Sequence, residues 1–97
     1  MSKQKFKSIW DAIEDTPRQA ASLRTRSELM IALQEHLKRS GMKQAQSAKM
    51  LGVTQPRISD LMRGRIDLFS MESLVDMISN AGLRVEFSLK KAPKKAA

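Results

Sequence analysis

Residues 41–65 read GMKQAQSAKMLGVTQPRISDLMRGR, and the fold turns on how this stretch is interrupted. From Gln44 to Leu51 the residues Ala45, Ala48 and Leu51 recur at helical spacing with mostly small side chains, which lets a second helix approach closely. Gly52 and Val53 break the run. Thr54 then offers an N-cap, Pro56 sits inside the first turn, and a second helix is expected to about Met62 with Ile58, Leu61 and Met62 inward. A glycine-bearing turn of this length sets two helices at roughly 90–120° to each other. Ala48 falls where the helices press together, and Val53, Ile58 and Leu61 plug the angle between them. Gln55, Arg57, Ser59, Asp60 and Arg63 are left on the outer faces.

Outward from this pair, Gly41, Gly52, Gly64 and Gly82 each close a segment of helical apolar spacing and so punctuate the chain. A long helix is expected from Thr16-Pro17 to about Arg39, with Leu23, Ser27, Met30, Leu33 and Leu37 on one face. Upstream, Ser8 to Asp15 can form a short helix with Ile9, Trp10 and Ile13 on one side, Trp10 serving as a packing anchor. After the central pair, Ser70 caps a further helix carrying Glu72 in its first turn and Met71, Leu74, Val75 and Ile78 as its buried stripe.

Residues 83–89 alternate strictly between apolar and polar, which is the period of a strand. A lone strand has unpaired backbone groups. Its simplest partner is its own copy in a second subunit, with Leu83, Val85, Phe87 and Leu89 at the dimer interface and Val85 and Phe87 buried at its centre. The expected fold class is therefore mostly α, a helical bundle with a helix-turn-helix and one C-terminal β-strand used for dimerisation. The boundaries are a basic N-terminal tail at 1–7, one domain at 8–89 and a Lys-rich tail at 90–97.

Composition bounds the function. Eighteen basic and ten acidic residues give a net charge of +8, and the excess is concentrated, since residues 38–65 carry seven basic side chains against one acid. A local +6 block between two acidic segments, 8–37 and 66–89, is an electrostatic footprint for a polyanion. The lysines of the 90–97 tail read as solvated charge that can also add nonspecific attraction. With no cysteine there is no disulfide framework or thiolate metal site, which points to a reducing, cytoplasmic setting. No apolar stretch is long enough for a signal or a membrane span.

Catalysis is not expected. The only histidine, His36, sits mid-helix, and neither a His-Glu-x-x-His pair nor a phosphate-cradling glycine loop is present. No metal or other cofactor is called for. The seven methionines are mostly core gap-fillers or the start residue.

Along Gly41 to Gly64 the sequence resembles the Cro/C1-type helix-turn-helix regulators, the XRE family, which implies a lambda-repressor-like helical bundle. Thr54-Gln55-Pro56-Arg57-Ile58-Ser59, then Phe69-Ser70 opening the next helix, then Gly82 and a terminal strand, are similar to the HigA-type antitoxin branch. With the Trp10-Asp11 and Ser27-Glu28-Leu29 regions the resemblance spans about residues 8–89. Two positions depart from it: Lys43 stands where Thr or Ser is usual, and Ser47 where Ala is common. The resemblance implies a repressor of its own operon that neutralises a RelE/HigB-like toxin. A stand-alone phage-type or metabolic repressor carries the same module without a toxin.

In such a module the second helix enters the major groove with its N-terminal side chains at base edges. Gln55 is then the leading base reader, because an amide bonds bidentately to adenine. Arg57 is either a guanine reader or a phosphate clamp. Pro56 offers an apolar surface to a thymine methyl, and Asp60 either accepts from cytosine or pairs with Arg57 or Arg63. Lys43, Gln44, Thr54, Ser59, Arg63 and Arg65 are placed for phosphate contacts, Gln44 and Thr54 with support from the resemblance. One recognition helix reads few base pairs, so double-stranded DNA with a pseudo-palindromic operator and a homodimer are the expected partners.

Overall fold

In the computed structural model, residues 17–91 are described, with side chains from residue 20 onward. The expected helix at 8–15, the Thr16 cap and most of both tails lie outside the described residues. Four α-helices follow in order: α1 Pro17–Ser40, α2 Gln44–Leu51, α3 Gln55–Met62 and α4 Met71–Asn80, with a 3-10 turn at Ile66–Leu68 between α3 and α4.

Helix α1 begins on Pro17, where a missing N–H costs nothing, and ends with Lys38 and Arg39 in its last turn, favourable to the helix dipole. Its C-terminal half supplies Met30, Leu33 and Leu37 to the core. Helix α2 adds Ala48 and Leu51, α3 adds Ile58 and Leu61, and α4 adds Leu74, Met77 and Ile78. Phe69, on the connection into α4, fills the centre with 1% of its surface exposed. Burying these side chains is what stabilises so small a domain, at about 1.5–3 kcal/mol for each large one.

The turn between α2 and α3 closes as the sequence requires. Gly52 takes φ +72°, a left-handed conformation that a side chain would strain, and the Val53 N–H donates to the Ala48 carbonyl at 2.9 Å. Thr54 Oγ1 accepts from the Arg57 N–H at 3.2 Å, and Ser70 Oγ accepts from the Ser73 N–H at 3.0 Å, so both expected caps form. Two amide side chains tie the helix ends across the bundle. Gln34 Nε2 donates to the Leu61 carbonyl at 2.7 Å, and Asn80 Nδ2 to the Leu51 carbonyl at 2.9 Å.

Several inward faces differ from the expectation. On α2 the buried positions are Ser47, Ala48 and Leu51, while Ala45 is exposed, because it lies off the line that joins residues 44, 47, 48 and 51 on a helix. On α4 the core face centres on Leu74, Met77 and Ile78, leaving Met71 and Val75 half-buried at its edge. Leu23, expected on the buried face of α1, is exposed, and Met62 is only half-buried.

The C-terminal strand is not formed within the single chain: residues 83–91 are neither helix nor strand, and there is no β-ladder among the described residues. A ladder needs a second strand, and the helical body provides none. Val85 leans on the core, while Phe87 and Leu89 stay 64% and 99% exposed.

Candidate nucleic-acid interface

Helix α3 has two faces with different tasks. Ile58 and Leu61 are sunk in the core at 1% and 0% exposure, which fixes the opposite side outward. There Gln55 and Pro56 are exposed in the first turn, and the exposed Arg63 and Arg65 follow its C-terminal end. An exposed amide at the start of a two-turn helix is placed to meet a base edge.

The charged side chains are partly committed to one another. Asp60 pairs with Arg63 at 2.8 Å across one turn of helix, the pairing that was one of the alternatives for Asp60. Arg65 stands 3.5 Å from Asp67. Both arginines are exposed and Asp60 is half-buried, so the pairs contribute little to folding and leave the cations accessible to a polyanion.

Arg57 is held differently. Its guanidinium carbon lies 3.9 Å from the centroid of the Phe69 ring, and Nη1 donates to the Leu68 carbonyl at 2.7 Å. This side chain points along the body toward α4 and is half-buried. Thr54 is exposed, with its hydroxyl oxygen in the cap, and Ser59 is half-buried.

The start of α2 forms a second part of the surface. Lys43 occupies the N-cap position and brings no side-chain acceptor; Gln46 Oε1 instead accepts from the Lys43 N–H at 3.0 Å. Lys43 and Gln44 are both exposed at the start of α2, the positive end of its dipole. Lys38 lines the shallow groove beside Met42 and Gln44. It is not singled out by the motif, which begins at Gly41, although it belongs to the same +6 block and that block is the signal for it.

The structure thus brings Lys43, Gln44, Gln55, Pro56, Arg63 and Arg65 to exposed positions on or beside α2 and α3. It sets Leu83, Phe87 and Leu89 on the exposed C-terminal segment and Val85 against the core.

A helix-turn-helix that buries one side of its second helix and exposes the first turn defines a DNA-binding module. The chain matches the family model described as a helix-turn-helix domain over residues 12–90 and belongs to that family. Among solved structures it is similar to a chain described as an XRE family transcriptional regulator, with 31% sequence identity and a TM-score of 0.68. The match covers 80% of this chain and 88% of that one. No curated protein matches. The protein is accordingly an XRE-family helix-turn-helix protein, a DNA-binding transcriptional regulator, which is a class of binding proteins rather than enzymes. No helix among the described residues is long and apolar enough to cross a membrane.

Proposed function

We propose that the protein is a sequence-specific repressor that binds a pseudo-palindromic operator as a homodimer. The exposed first turn of α3, set on a buried Ile58–Leu61 face, is the observation that carries this reading. Gln55 reads a base edge, Pro56 meets a thymine methyl, and Lys43, Gln44, Thr54, Ser59, Arg63 and Arg65 fix register on the phosphates. Asp60 orients Arg63 through their ion pair. Two copies place their recognition helices about 34 Å apart, one helical turn of DNA.

The second subunit is recruited through residues 83–89. Their alternation, the exposed Phe87 and Leu89, and the lack of a strand partner within the described residues all favour antiparallel pairing across a two-fold axis. A chain truncated after Gly82 should sediment as a monomer. One that stays dimeric refutes the interface.

The finer role we propose is that of an antitoxin, which represses its own operon and neutralises a RelE/HigB-like toxin. The resemblance over residues 8–89 supports it, as do Glu72 and Asp76 beside the half-buried Met71 and Val75 of α4, a face suited to a basic partner. A footprint on the DNA upstream of its own gene should show protection at two half-sites. Gln55→Ala should erode preference at one base pair, and Arg63→Ala should weaken all sequences alike; equal losses for both on operator and random DNA would show the roles misassigned. Co-expression should rescue growth from the product of a neighbouring reading frame. Failure of rescue favours the stand-alone repressor.

A further inference from the structure

We infer that Arg57 is a positioning residue, which aims the reading end of α3 by anchoring it to the connection that leads into α4. The inference rests on the DNA-reading role of α3 and adds to it a device that sets specificity without touching a base.

An eight-residue helix has too few hydrogen bonds to hold its own direction, so its orientation comes from what it packs against. Ile58 and Leu61 secure the middle and end of α3 in the core. Its first turn, which bears Gln55 and Pro56, has one long side chain tied to the body, and that is Arg57. The guanidinium stacks on Phe69 at 3.9 Å and donates to the Leu68 carbonyl at 2.7 Å. A planar cation satisfies both demands at once, one through its face and one through its edge.

The far side of this contact is itself immobilised. Phe69 is buried to 1% exposure, and its own carbonyl accepts from Arg26 Nη1 of α1 at 3.3 Å. Two arginines from two helices therefore grip consecutive carbonyls of one connection. Arg57 transmits the fixed position of that connection to the first turn of α3. Removing the link lets Gln55 sample several directions, which costs discrimination at each base pair the helix reads and leaves attraction to phosphate intact.

The experiment compares the full-length protein with Arg57→Gln, Arg57→Lys and Phe69→Leu. The probes are the duplex enriched by the wild type from a randomised library of about 20 base pairs and the unselected library. Affinity is measured against salt, and preference is measured base pair by base pair. Arg57→Gln should lose about tenfold on the enriched duplex, spread over several base pairs, with little change on the unselected library or in the salt slope. Arg57→Lys, which keeps the charge and loses the plane, should not rescue. Phe69→Leu, at a residue sealed from solvent, should reproduce the profile, and the double variant should be no worse than the poorer single one.

A loss confined to one base pair and not mimicked by Phe69→Leu would make Arg57 a direct reader. A uniform loss rescued by lysine, with the salt slope shallower by about one in Arg57→Gln, would make it a phosphate clamp. Either result overturns the inference. So does unchanged binding in all variants. If the wild type enriches no duplex, the reading of α3 fails separately, and additive losses of thermal stability in the Arg57–Phe69 cycle would then overturn the contact itself.

Discussion

Helices α2 and α3 are both eight residues long and meet across a single turn, yet they are held by different means. Helix α3 is capped by its own Thr54, sinks Ile58 and Leu61 into the core, and is gripped from outside by Gln34 and Phe69. Helix α2 has Lys43 at its N-cap with no acceptor to offer, buries the smaller Ser47 and Ala48 along with Leu51, and is closed at its end by Asn80. The contrast fits the roles proposed for them: a helix that reads bases needs a fixed direction, and a helix that crosses a phosphate backbone gains from a positive N-terminus beside a lysine.

The largest effect is expected in the core. Leu61→Ala removes a side chain with no exposed surface, and unfolding in urea should show a loss of about 2–5 kcal/mol. A loss well under 1 kcal/mol would mean that α3 is not anchored as described. Next in size is Ala48→Leu, which forces bulk into the contact between the two helices and should cost about 1–3 kcal/mol by the same assay. A neutral result there would indicate that α2 and α3 are less tightly apposed.

The two helix starts should give smaller effects. Thr54→Ala should cost about 1 kcal/mol, seen as a lower midpoint of thermal unfolding. Lys43→Thr should act in the opposite direction on the fold, stabilising it by about 1 kcal/mol or less through the acceptor that α2 lacks. The same variant should weaken binding to any duplex and flatten its salt dependence. Thermal unfolding that moves the other way would show that Lys43 already stabilises the start of α2 by a route other than capping.

Much of this architecture was legible in the residues. Thr54, Pro56 and Ser70 mark helix starts through local chemistry, and Gly52 marks the turn, so these boundaries follow from neighbours in the chain. The faces of α2 and α4 were less legible, since a short helix with several apolar residues offers two adjacent stripes and only the packed bundle chooses between them. Ala45 and Val75 were displaced in this way. The strand at 83–89 is readable as a pattern, but a pattern does not supply the second strand that a ladder needs. The first turn of α3 was legible as a surface, with Gln55 and Pro56 outward, because Ile58 and Leu61 fix its inward side, although Met62 lies only half in the core. The hold of Arg57 on Phe69 was not, because it joins residues across a 3-10 turn that no periodicity announces.

Engagement of duplex DNA by α3 and the amides and cations around it is read from the affinity of the intact protein for a duplex, titrated from low to high salt. The affinity should fall linearly on logarithmic axes, with each neutralised phosphate contributing about 0.9 to the slope, and Arg63→Ala should reduce that slope by about one. Duplex affinity that is absent at low salt, or that is indifferent to salt, would contradict it.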